Sequence, residues 1–213
     1  MLTAAIEWIA DHPDEFLRAL GQHLIMSGVS LAIALVIALP LAVLIVNRQR
    51  LAFGVINTIN GLRTVPSLAI LAIMMPLLGI GLMPSIVALT VLALPPILLN
   101  AYVGLRNVDA DAVEAAIGMG MSSGQMLRKI RIPLAAPAMF AGARTAAVQV
   151  LAGATLAPFI GGGGLGDFIA TGIGIMDMSR LLVGAVPIAI LALSTEFILG
   201  RAEKLLFSER TAA

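Results

Sequence analysis

The sequence has no cysteine, which removes disulfides, thiolate metal sites and thiol nucleophiles together. Histidine is nearly as scarce. His12 and His23 both precede the first long apolar run and are too few for a histidine-rich metal site, so no metal is expected. Charge is thin as well: Asp, Glu, Lys and Arg make up 12% of the 213 residues, about half the usual share in a soluble domain. The thirteen Lys and Arg are dispersed, with no basic stripe alternating with aromatics, which argues against nucleic acid as a partner. No Gly-x-x-x-x-Gly-Lys-Ser/Thr loop occurs, and no Ser–His–Asp constellation. Gly161-x-Gly163-x-x-Gly166 fits a dinucleotide fingerprint in form only, since no strand precedes it. A tight or flexible loop is the better reading.

What is present is apolar surface. Sixty per cent of the residues are apolar and the mean hydropathy is +1.03. With so little charge to solvate a surface, lipid must be the solvent for much of it. Five stretches approach the ~20 apolar residues needed to cross a bilayer: 24–46, 54–79, 84–105, 138–160 and 181–200. The expected fold is therefore all-α, a polytopic bundle of five transmembrane spans. Residues 1–23 precede the spans, 24–207 form the membrane domain and 208–213 a short tail. The first residues carry Glu7, Asp11, Asp14 and Glu15, unlike the cationic start of a secretory signal. Apolar residues at helical spacing from Ile6 to Leu17, broken at Pro13, fit an interfacial helix with Trp8 near the headgroups, or a partly ordered tail.

Five spans place the termini on opposite sides, and cationic loops stay inside. With the C-terminus inside, nine cations are cytoplasmic (Arg48, Arg50, Arg106, Arg128, Lys129, Arg131, Arg201, Lys204 and Arg210) and two, Arg18 and Arg180, are outside. The expected location is the cell inner membrane, with the N-terminus outside. The long connection 106–137 is then cytoplasmic, and the glycine-rich connection 161–180 is external. The odd span count, with no internal repeat, weighs against a secondary carrier built from paired repeats.

The cytoplasmic loop carries two helix-start signals, Asp111 with Glu114 and Ser122 with Gln125. Gly118 and Gly120 separate the two helices, and Pro133 is expected to end the second. That helix sets Met126, Leu127 and Ile130 on one side, with Arg128, Lys129 and Arg131 toward the other. Such an element either docks on a partner or packs under its own spans.

Glu114-Ala115-Ala116, then Gly120, then Ile130-Arg131-Ile132-Pro133 resembles the Glu-Ala-Ala motif of bacterial ABC importer permeases, with Ile132 where that family usually has Leu. Gly61-Leu-Arg-Thr-Val-Pro-Ser-Leu68 and Ile160-Gly-Gly-Gly-Gly-Leu-Gly-Asp167 resemble further segments of type I permeases. The likeness spans roughly residues 20–207 and is nearest to the osmoprotectant importers, on Arg63-Thr-Val-Pro-Ser-Leu-Ala, Gly79-Ile-Gly-Leu and Gly142-Ala-Arg-Thr-Ala146. It implies a type I (MetI-like) permease fold. It further implies coupling helices that contact a separate ABC ATPase subunit through Glu114, Ala115, Ala116, Gly120, Ile130 and Pro133. An extracytoplasmic solute-binding protein and a second permease, identical or related, are the other implied partners. The chain itself would need no cofactor, ATP being bound by the ATPase, and would not be an enzyme. The implied solutes are glycine betaine, choline, carnitine or proline, with another small solute such as an amino acid as the alternative. An ATP-independent channel or carrier and a membrane scaffold are the readings from other classes, and reconstitution and copurification separate them.

Arg63, Arg144 and Glu196 lie in or at the edge of spans, where an unpaired charge costs at least ~2.5 kcal/mol. They must face protein, water or the headgroup layer. Glu196 is a partner for either arginine. Asn100, Tyr102, Gln149 and Thr155 complete the polar set, serving either a pathway or interhelical hydrogen bonds. With one Trp, one Tyr and seven Phe, and no Tyr or Trp cluster, the chain offers no aromatic cage for a quaternary ammonium group. Solute selection is therefore expected to reside in the binding protein.

Overall fold

A computed structural model describes residues 1–207, and among them there is no strand. The tail 208–213, with Arg210 in it, lies outside the described residues. Ten helices follow one another: α1 (Leu2–Asp11), α2 (Pro13–Ile45), α3 (Gln49–Thr64), α4 (Ser67–Leu78), α5 (Leu82–Arg106), α6 (Ala110–Gly118), α7 (Ser123–Met126), α8 (Ile132–Gly153), α9 (Gly166–Gly174) and α10 (Met178–Phe207). A π-helical turn, Leu127–Arg131, joins α7 to α8, and a 3₁₀ segment, Ala154–Ile160, follows α8.

The helices containing α2, α5, α8 and α10 are each long and apolar enough to cross a membrane, and α3 with α4 makes a fifth candidate. The stretch 54–79, expected as one span, is bent: α3 and α4 meet at 101°. The cause is local. Pro66 disfavours helical geometry in the residue before it, and Val65 is extended at φ −76°, ψ 126°. The bent pair still carries the chain from one end of the bundle to the other. At the end bearing α6 and α7, the loop end, Arg131 donates to Asn47 Oδ1 at 2.8 Å. At the opposite, glycine-rich end, Gly81 N donates to the Ile160 carbonyl at 2.7 Å.

The core lies between α2, α5 and α8, and small residues set its spacing. Ala34, Ala38 and Ala42 of α2 repeat every fourth residue and are fully buried, as are Ala88, Ala93 and Ala101 of α5. A Cβ on Gly104 would fall 2.7 Å from Ala138 Cβ, and one on Gly142 would fall 2.7 Å from the Pro96 carbonyl oxygen. Between membrane helices no hydrophobic effect drives association, and close backbone approach of this kind supplies the dispersion energy instead. Side-chain hydroxyls add cross-links: Ser30 Oγ of α2 donates to the Ile86 carbonyl of α5 at 3.0 Å. Large apolar side chains such as Val36, Leu44, Leu193 and Phe197 point outward, as lipid-facing residues do.

A second apolar cluster closes the glycine-rich end, where α1 folds back on α9 and α10. Pro13 begins α2 rather than merely interrupting a helix, so residues 13–23 are continuous with the first span. Trp8 is half-buried against protein: its ring meets Phe168 edge-on at 5.2 Å and lies 4.0 Å under the Arg180 guanidinium. Arg180 also bonds Glu15 at 2.9 Å. The glycine loop rests on α2, with Gly164 N donating to Gln22 Oε1 at 3.2 Å and fully buried His23 hydrogen-bonded to the Leu151 carbonyl.

Candidate functional site: a polar chamber and a helical elbow

The bend at Val65–Pro66 opens a cavity of about 410 Å³ between α3, α4, α5 and α8. Its apolar walls are Leu62, Val65, Val91, Leu92, Pro95, Pro96 and Leu99. The polar groups come from three directions. Arg63 sits in the last turn of α3, where a cation suits the helix dipole, and is exposed to the cavity. Ser67 opens α4. Asn100 of α5 faces Thr145 and Gln149 of α8, which are one turn apart on the same helix face.

Asn100 is partly engaged, its Nδ2 donating to the Pro96 carbonyl at 2.7 Å. Thr145 Oγ1 donates back to the Ala141 carbonyl. Arg63 and Gln149 make no hydrogen bond or ion pair among the described residues. A volume of this size falls within the ~300–1,000 Å³ of small-molecule sites.

The seven intramembrane polar residues singled out in the sequence thus divide. Arg63, Asn100 and Gln149 converge on the chamber. Tyr102 does not: its hydroxyl accepts from Arg106 at 3.3 Å and lies in a separate groove with Gln49, Phe53 and Asn57. Arg144 and Glu196 pair with each other across α8 and α10 at 3.5 Å, which settles which arginine Glu196 serves. The shorter contact of Arg144, 2.6 Å, is to Glu203, which sequence reasoning missed because it lies beyond the expected span. Thr155 bonds the Ala152 carbonyl, nearer the glycine-rich end. Ser67 and Thr145 were also missed. Both are common helix residues, and only the bend and the α5–α8 crossing bring them to one cavity.

The loop end carries the second part of the site. Asp109, not Asp111, caps α6, its Oδ1 accepting from Asp111 N at 2.9 Å. The chain leaves α5 at Asn107, and this exit places the earlier aspartate at the helix start. At the other end of α6, Gly120 has φ +73°. Met121 N donates to the Ala116 carbonyl and Gly120 N to the Ile117 carbonyl, which together make a Schellman closure. Gly120 is glycine because that closure needs a left-handed residue at this position. Ser122 and Gln125 then cap α7 reciprocally, as the spacing implies.

Pro133 does not terminate the second helix. Pro133 lacks an N–H and cannot serve the carbonyl four residues back. The chain winds instead into the π turn, with Ile132 N reaching the Leu127 carbonyl five residues back, and runs on into α8. One helical run of 38 residues therefore joins the loop helix to the chamber wall that carries Thr145 and Gln149. Along this elbow Ala116 is buried, while Glu114 and Ala115 are exposed. Ile117 and Met119 are 58% and 68% exposed, an apolar surface that the sequence spacing alone did not single out. Ile130 and Pro133 are half-buried at the root of the elbow.

Membrane-length helices enclosing a solute-sized polar chamber, with an exposed elbow fused to one chamber wall, define a membrane component of a transport system. The chain belongs to the family of binding-protein-dependent transport system inner membrane components, whose pattern matches residues 30–207. It is 41% identical over 202 residues to the carnitine transport permease protein OpuCB of Listeria monocytogenes, covering 95% of this chain and 93% of that protein. It is 40% identical over 190 residues to the glycine betaine/carnitine/choline transport system permease protein OpuCB of Bacillus subtilis (strain 168), covering 89% and 88%. Among solved structures, the inward-facing MetNI methionine ABC transporter superposes with a TM-score of 0.83 at 26% identity, covering 92% of this chain and 97% of that one.

Proposed function

We propose that this chain is the pathway-forming permease of an ATP-driven importer for osmoprotectants such as glycine betaine, choline, carnitine or proline. The observation that carries the reading is the unbroken helical run from the exposed elbow, through the π turn, to the chamber wall. A displacement imposed at Ile130 and Pro133 would reach Thr145 and Gln149 without a loop to absorb it; one imposed at Glu114, Ala115, Ala116 and Gly120 passes first through the short turn 119–122, which the Schellman closure and the Ser122 cap hold. A separate ATPase subunit binds the ATP and docks on the elbow, and an extracytoplasmic binding protein delivers solute. A second permease, the same or related, completes the pathway. The chain catalyses nothing itself. The elbow faces the cytoplasm with the C-terminus, and the glycine-rich end with the N-terminus faces outward, an orientation that the distribution of cations supports. The names of the two permease relatives support the solute class.

Reconstitution tests this. Proteoliposomes holding the permease, its ATPase and its binding protein should accumulate glycine betaine only with ATP inside. Accumulation by the permease alone, or uptake restricted to amino acids unrelated to osmoprotection, would overturn it.

A further inference from the structure

The chamber is polarised, and its two poles suit different parts of one solute. Arg63 supplies the single charged side chain in the lining, and no acidic side chain among the described residues accompanies it. The opposite pole comes from a backbone defect. Pro95 and Pro96 have no N–H, so the carbonyls four residues before them, those of Val91 and Leu92, lose their helical donors. Both residues line the same cavity. Asn100 adds to this pole, because one of its amide hydrogens goes to the Pro96 carbonyl and its oxygen is left as an acceptor.

We infer that the chamber recognises a zwitterion, a carboxylate held by Arg63 and an alkylated ammonium set against the carbonyl dipoles of the Pro95–Pro96 break. A guanidinium binds a carboxylate in a bidentate fork, and an ammonium without N–H groups needs only oriented dipoles. The arrangement favours betaines and carnitine over choline, which is a cation with no carboxylate and meets the uncompensated charge of Arg63. Selection therefore does not end at the binding protein, even though the chamber has no aromatic cage. The inference rests on the importer reading proposed above and deepens it.

The test uses the complete complex in proteoliposomes, with binding protein saturated in turn by glycine betaine and by choline, and reads the ratio of the two uptake rates. Arg63→Gln should lower the betaine-to-choline ratio roughly tenfold or more, the effect of losing a charge-assisted contact. Arg63→Lys should keep the ratio within about threefold, since the charge remains. Gln149→Glu, which adds a carboxylate to the chamber and competes for Arg63, should lower the ratio without touching Arg63. A ratio unmoved by both Arg63→Gln and Gln149→Glu overturns the inference alone. A wild-type complex that moves neither solute overturns the osmoprotectant reading, and this inference with it.

Discussion

Gly142 is where the packing of the bundle and the geometry of the chamber depend on the same atoms, and replacing it with alanine makes a quantitative test. A Cβ there would lie 2.7 Å from both Asn100 Cβ and the Pro96 carbonyl oxygen, with Ile97 Cα at 3.3 Å. Favourable carbon contacts begin near ~3.5 Å, so α5 and α8 must part by roughly 0.8 Å at this crossing. None of the obstructing atoms is the free end of a flexible side chain. Overpacking of this kind costs about 1–3 kcal/mol, offset by up to ~1 kcal/mol from alanine's better helix propensity. The net loss of about 1–2 kcal/mol corresponds to a fall of roughly 2–8 °C in Tm for a chain of this length.

Gly28→Ala is the control, since a Cβ at Gly28 of α2 meets nothing within 4 Å. That variant should unfold at the same temperature as the parent or slightly above it. Gel-filtration recovery after stepped heating of the detergent-solubilised protein gives both midpoints. The two substitutions should differ in sign. A Gly142→Ala midpoint at or above that of Gly28→Ala would refute the close α5–α8 contact and the position of Asn100 built on it.

Gly120→Val should leave the protein inserted but cut ATP-driven uptake at least tenfold. A Cβ there meets nothing within 4 Å, so the cost is the left-handed backbone, about 1–2 kcal/mol, and not crowding; normal uptake would reject the elbow as the coupling element. A double-mutant cycle on Arg144→Gln and Glu203→Gln should give a coupling of about 1–2 kcal/mol in thermal stability. The same cycle with Glu196→Gln should give less than about 0.5 kcal/mol, because Glu196 is half exposed and its contact is longer; equal couplings would contradict the geometry. Trp8→Ala removes a half-buried ring from Phe168 and Arg180, a local loss of about 1.5–3 kcal/mol. Hydrogen exchange in α1 should quicken roughly ten- to a hundredfold, and unchanged exchange would mean that α1 is held by something else.

Much of this architecture is legible in the chain before folding, because long apolar runs and the distribution of cations are local properties. The runs around 24–46, 84–105, 138–160 and 181–200 found α2, α5, α8 and α10. The Glu114–Pro133 spacing found the elbow. What escaped were the consequences of proline, and the two failures have opposite signs. Pro66 bends a span whose geometry the apolar run does not specify, because nothing in the preceding turn of α3 rewinds to accommodate it. Pro133 was expected to stop a helix and does not, because Leu127–Arg131 just before it adopts the wider π turn. A rule about proline's missing N–H states that a donor is lost. It does not state whether the chain answers by breaking, by rewinding, or by leaving a carbonyl free.

The three answers occur in one molecule, and each lies at or next to a working part. The break at Pro66 opens the chamber and presents Arg63. The rewinding at Pro133 makes the elbow continuous with α8. Val91 and Leu92, whose carbonyls lose their helical donors to Pro95 and Pro96, line the chamber. Interior helix prolines also occur at Pro40, Pro76, Pro137 and Pro187, none of which lines the chamber. Proline content alone therefore could not have marked the site. The distinguishing feature is what stands across from the defect: Arg63 and Gln149 opposite the α5 break, and Asn47 holding Arg131 beside the π turn. Those juxtapositions join residues 84 positions apart in the case of Asn47 and Arg131. They belong to the packing of α2, α3, α5 and α8 together, a level that no local pattern in the sequence encodes.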